Sequence, residues 1–110
     1  MAEDCLFCKI VKGEIKSEFL YEDDMFVVFR DINPHAPVHL LIVPKTHVRS
    51  INDLEDQHRD ILSGAFMVAK EMAANEGVAE SGYKLFFNVE KGGGQEIFHL
   101  HLHLVGGWEK

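Results

Sequence analysis

"HLHLHLV", His99 to Val105, alternates imidazole and apolar side chains without interruption before the final valine. In an extended strand successive side chains point to opposite faces, so His99, His101 and His103 share one face while Leu100, Leu102 and Leu104 share the other. The leucine face needs a cover, and the chain supplies one. From Asp56 to Glu76 the residues Ile61, Leu62, Ala65, Phe66, Val68, Ala69, Met72 and Ala73 recur at helical spacing, with Gly77 as the stop. A long helix over the leucines leaves the three imidazoles on an open face, about 6.6 to 6.8 Å apart along the backbone.

Working outward, "DCLFCKIVKGEI" predicts a short N-terminal helix capped by Asp4, apolar at Leu6, Phe7, Ile10 and Val11, and ended by Gly13. Phe19 to Tyr21 and Met25 to Arg30 flank the acidic turn Glu22-Asp23-Asp24 and read as a hairpin. Val38 to Val43, between Pro37 and Pro44, is a third strand with its prolines at the margins. "YKLFFNV" and "FHLHLHLV" supply the last two strands, joined across "EKGGGQEI". The order predicts one α+β domain over residues 1–110: a five-stranded antiparallel sheet with one long helix and a short N-terminal helix.

The net charge of −7 on 110 residues argues against a nucleic-acid surface, which needs a basic patch. No stretch approaches the roughly 20 apolar residues of a membrane span, and the acidic "MAEDCLFCKI" does not read as a signal peptide, so a cytoplasmic protein is expected. Cys5 and Cys8, the only cysteines, are spaced C-x-x-C and read as thiols, metal ligands or a redox pair.

Two chemistries suit a row of imidazoles. One is a metal site, although a row about 13 Å long cannot bring all three to one ion. The other is nucleophilic catalysis, in which a mid-row neutral imidazole attacks phosphorus and its neighbours hold the phosphate oxygens. The glycine-rich Gly92 to Glu96 favours the second, because it lets backbone N–H groups approach an anion.

"HLHLHLV" matches the H-φ-H-φ-H-φ-φ signature of the histidine triad family. With "FCKIVKGEI", "YEDD", "FRDINPHAPVHLLIVPKTH" and "GGGQEIFHLHLHLVGG" the chain resembles the family's Hint branch almost end to end. That resemblance implies a homodimer with a shared sheet, and hydrolysis of purine nucleoside 5'-phosphoramidates to AMP or GMP through a nucleotidyl-histidine intermediate. It makes His101 the nucleophile, His103 a donor to a phosphate oxygen, and His39 the residue that orients the imidazole. Asp31 would accept from the ribose hydroxyls. Leu6, Phe7, Ile10, Phe29 and Ile32 would form the slot for the base, and Asn88, Gly94 and Gln95 would contact the ribose and phosphate end.

The same resemblance groups Cys5, Cys8, His47 and His99 as a closed, structural zinc site, one ion per subunit. Glu96 stands where many members carry a hydroxyl, and is read either as a general acid or as a partner for a cationic leaving group. His58 is expected as solvated helix surface and His35 as a turn residue without a role. Two other activities fit the same motifs: dinucleoside polyphosphate hydrolysis, whose branch usually has glutamine in place of Asn88, and nucleotide sensing in a regulatory or scaffold protein with incidental turnover.

Overall fold

The computed structural model describes residues 5–109. Along it run α1 (Leu6–Val11), β1 (Tyr21–Glu22), β2 (Phe26–Arg30), β3 (Val38–Pro44), α2 (Arg59–Asn75), β4 (Tyr83–Phe86) and β5 (Leu102–Gly106). Short 3-10 turns lie at Ile51–Asp53, Asp56–His58 and Lys91–Gly93. The strands form one sheet in the order β1-β2-β3-β5-β4, and every neighbouring pair is antiparallel.

The sheet is apolar on both faces, and β3 shows why its sequence is a continuous hydrophobic run. Leu40 and Ile42 point into a core built with α2, which also takes Leu100, Leu102 and Leu104. Leu41 and Val43 point the other way, into a second core with Phe7, Cys8 and Ile10 of α1. The leucines therefore lie where their alternation puts them. Gly64 lets α2 approach β2 closely, since a Cβ there would lie 2.8 Å from the Phe26 ring.

The open histidine face is a correction. His99 is fully buried and His101 and His103 are each 8% exposed. The cover is α1, whose Phe7 ring meets His99 and His101 edge-on at centroid distances of 6.0 and 5.1 Å. The strand also begins later than expected, at Leu102. Ahead of it the His99 carbonyl accepts from the His101 ring rather than from a neighbouring strand, and pairing survives only as the Leu100 N–H to Val48 carbonyl bond of 2.7 Å.

Three boundaries move for local reasons. The cap of α1 is Cys5, whose sulfur accepts the Cys8 N–H at 3.2 Å; Asp4, the expected cap, lies outside the described residues. The helix α2 starts at Arg59, because Glu55 and His58 close a reciprocal capping box over the preceding 3-10 turn. His58 Nδ1 accepts the Glu55 N–H at 3.0 Å, so this histidine is a cap and not bare surface. In the first hairpin Glu22 pairs with Val27, and the turn is fixed by Asp23, whose Oδ1 accepts the Met25 and Phe26 N–H groups at 2.7 Å each.

Candidate active site

A cavity of about 410 Å³ opens on the α1 side of the sheet. Of the expected nucleotide residues, Leu6, Phe7, Ile10, Phe29, Asp31, Ile32, Asn88 and Gly94 line it, together with His101, His103 and Glu96. Gln95 and His39 do not line it. Gln95 is buried and its amide is spent internally: Oε1 accepts the Glu90 N–H at 2.8 Å, and Nε2 donates to the carbonyls of Arg49 and Ile97 at 2.8 and 3.1 Å. It braces the glycine loop from behind. His39 stands behind His103 in the same way.

The hydrogen bonds fix which nitrogen of each imidazole carries a proton. His39 Nδ1 accepts the backbone N–H of His35 at 3.1 Å, so neutral His39 carries its proton on Nε2. That N–H points at His103 Nδ1, 3.0 Å away, which must then accept. His103 consequently carries its proton on Nε2, the one buried side-chain polar atom without a partner among the described residues. His101 is set the opposite way: its Nδ1 donates to the His99 carbonyl at 2.7 Å, leaving a lone pair on Nε2. Two adjacent rings of the cavity wall, 4.9 Å apart, thus carry one free lone pair and one unpartnered N–H.

Burial keeps these rings neutral. It lowers His101 and His39 below the ordinary histidine value, and brings His103 down to about 4. Phe86 stacks flat on His103 at 4.7 Å and 5°, and so adds to this desolvation. Neither Phe86 nor His35 was anticipated. The first could have been found from register, since Phe86 sits opposite His103 in the β4–β5 ladder. The second lines the cavity with its ring 5.5 Å from that of His39, and its main-chain N–H, which orders His39, leaves no mark in the residue pattern.

Cys5, Cys8, His47 and His99 converge so that their ligand atoms all lie within 4.8 Å of one another. His99 Nδ1 is 3.2 and 3.5 Å from the two sulfurs and 3.1 Å from His47 Nδ1, close to the edges of about 3.3 to 3.8 Å of a tetrahedron with ordinary Zn–N and Zn–S bond lengths. The far nitrogen of His99 donates to the Pro44 carbonyl at 2.7 Å, so the lone pair faces the cluster. Burial and the neighbouring Cys5 raise the Cys8 thiol to about 11, a penalty on the thiolate that a bound cation removes. These four residues fit a metal ion. Asp31, His39 and His103 also come together, but His39 offers an N–H there instead of a lone pair and suits a metal poorly.

Residues 4–108 match the family model described as "Scavenger mRNA decapping enzyme C-term binding". A purine nucleoside phosphoramidase of Escherichia coli K12 is 45% identical over 107 residues, 97% of this chain and 90% of that protein. A crystal structure of a HIT family hydrolase from Legionella pneumophila superposes with a TM-score of 0.93 at 51% identity, covering 96% of this chain and 94% of that one. The chain belongs to the histidine triad family. Within the family, a zinc-bound histidine triad protein from Mycobacterium smegmatis shares the fold at a TM-score of 0.82 and 33% identity, over 96% of this chain and 76% of its own. In this histidine triad chain the motif is divided between two sites, with His99 facing the thiols and His101 and His103 facing the cavity. No helix among the described residues is long and apolar enough to cross a membrane.

Proposed function

We propose that this protein is a nucleotidyl hydrolase that cleaves purine nucleoside 5'-phosphoramidates to the nucleoside monophosphate and an amine. The observation that carries the reading is the pair of opposed tautomers on the cavity wall. His101 Nε2 attacks the α-phosphorus, the P–N bond breaks with its electron pair going to nitrogen, and the departing nitrogen takes up a proton from water or from Glu96 at the cavity rim. The nucleotidyl-imidazole so formed keeps a proton on Nδ1 and carries positive charge, which the His99 carbonyl stabilises at its 2.7 Å bond. Water then attacks phosphorus, the bond to His101 breaks, and the monophosphate leaves.

His103 gives its Nε2–H to a phosphate oxygen, and that bond strengthens as charge builds on the phosphoryl group. Asp31 accepts from the ribose, while Leu6, Phe7, Ile10, Phe29 and Ile32 take the purine, with Asn88 and Gly94 at the phosphate end. Glu96, exposed on the cavity rim, is the carboxyl available to the leaving group. The metal at Cys5, Cys8, His47 and His99 is a structural zinc, because four protein ligands leave no open position for water. A homodimer is supported by the unpaired outer edge of β4 and by Phe66 and Met67, 43% and 63% exposed on α2.

The test is turnover of adenosine 5'-phosphoramidate to AMP. His101→Ala loses at least about 10³-fold in kcat while AMP affinity stays within about threefold of wild type. Label from the nucleotide is retained on wild-type protein after a base quench and lost after an acid quench. Hydrolysis by His101→Ala near the wild-type rate would overturn the assignment.

A further inference from the structure

Glu90 has φ 62° and ψ 173°, and it is the one non-glycine residue with positive φ among the described residues. That region of backbone space is favourable almost only for glycine, so a glutamate is held there by something else. Its side chain shows what. The carboxylate accepts from the fully buried Ser50 hydroxyl at 2.7 Å and from the Arg49 guanidinium, which also lies over the Phe98 ring at 4.5 Å. The main chain of Glu90 is equally committed: its N–H donates to Gln95 Oε1, and its carbonyl accepts the N–H groups of Gly93 and Gln95 at 3.0 and 3.1 Å.

Gln95 closes the ring of bonds by donating to the Arg49 carbonyl at 2.8 Å. The glycine loop is thus tied to the segment Arg49–Ser50 twice, through the Glu90 carboxylate and directly through the Gln95 amide, and three of the loop's own hydrogen bonds meet on the main chain of Glu90. The loop itself carries Gly94 and Glu96 into the cavity.

We propose that Glu90 is a positioning residue for the reaction: its side-chain bonds to Arg49 and Ser50 hold a backbone conformation that glutamate resists, and that conformation presents the glycine loop to the phosphate. The residue does not line the cavity, and acts through the loop. The inference rests on the phosphoramidase reading for its kinetic consequence, but the loop geometry is measurable without any substrate.

Two variants separate this role from that of an ordinary surface ion pair. Glu90→Ala removes the tie but leaves a residue for which that φ is unfavourable, so the backbone relaxes away from it. Glu90→Gly also removes the tie but accepts that φ at no cost. In Glu90→Ala, amide-exchange protection of Gly93 and Gln95 falls about tenfold or more. In the same variant kcat for adenosine 5'-phosphoramidate falls about 10- to 100-fold, with KM changed less than about threefold because the purine and ribose contacts lie elsewhere. Glu90→Gly returns both protection and kcat to within about threefold of wild type. Melting temperatures of the two variants differ by only a few degrees.

The proposal is overturned if Glu90→Ala keeps wild-type protection and kcat, or if Glu90→Gly is no better than Glu90→Ala. A wild-type protein that does not hydrolyse the phosphoramidate removes the functional reading instead, and amide exchange in the two variants then decides the positioning role alone.

Discussion

His39 acts on the cavity without lining it. It holds His103 by donating to Nδ1 at 3.0 Å, and so keeps the His103 proton on the nitrogen that would meet a phosphate oxygen. His39→Ala frees His103 to exchange tautomers and should lower kcat about 10- to 100-fold with little change in AMP affinity; His39→Gln, whose amide can still donate, should recover part of the loss. Steady-state kinetics beside calorimetry with AMP checks both. Glu96 is exposed on the cavity rim. If it protonates the departing amine, Glu96→Gln lowers kcat about 10²-fold or more for alkylamine leaving groups and little for a nitrophenol. If it attracts a cationic leaving group, the same variant raises KM for lysine-like substrates alone. A three-substrate comparison distinguishes the two.

At the scale of elements, α1 is six residues long and far too short to be stable alone. Its hold on the sheet comes from Phe7 and Ile10 in the second core and from the two cysteines against His47 and His99. Cys5 serves twice, as helix cap and as one of the four residues that fit a metal ion. Cys5→Ser retains a capping oxygen but loses a thiolate, so it should abolish zinc binding, one equivalent per chain by metal analysis, and lower the melting temperature by about 10 °C or more. Chelation should act in step with loss of structure; prompt inhibition without unfolding would make the metal catalytic.

The elements also show what the sequence could and could not reveal. Periods of two and of 3.6 residues located β5 and α2, and set the leucines against the helix, because those patterns are local. The cover over the histidines is not legible in any local pattern, since Cys5 meets His99 across 94 positions; only the family resemblance, which groups Cys5 and Cys8 with His99, brings α1 to that face. Most expected nucleotide residues do line the cavity, since family motifs carry them as a set. Gln95 stands apart from the cavity lining because its amide is bonded within the loop that it braces, and the shape of that loop is not a local pattern.

For the whole molecule, five of its seven histidines, His39, His47, His99, His101 and His103, are held below the ordinary value by burial. The sign of the resulting pH dependence follows from His103. Unfolded, it takes up a proton near 6.5; folded, it does so only near 4. Between those values the unfolded chain binds more protons, so stability rises with pH. The penalty is absent above about 6.5, grows as the pH falls towards 4, and is complete below that. Denaturant midpoints measured from pH 8 down to pH 4 should fall most steeply between 6.5 and 4. His103→Phe, which removes the titrating ring and keeps the stacking on Phe86, should flatten part of that slope.

The proton order of the cavity wall begins at a main-chain amide, the N–H of His35 that His39 accepts at 3.1 Å. Nineteen of the twenty genetically encoded residues supply that same group. For this hydrogen bond position 35 would therefore tolerate any of them, and a side-chain scan would report only on the ring, which lines the cavity 5.5 Å from that of His39. Only proline would expose the dependence, by deleting the amide hydrogen and leaving His39 free to reverse the proton chain towards the phosphate.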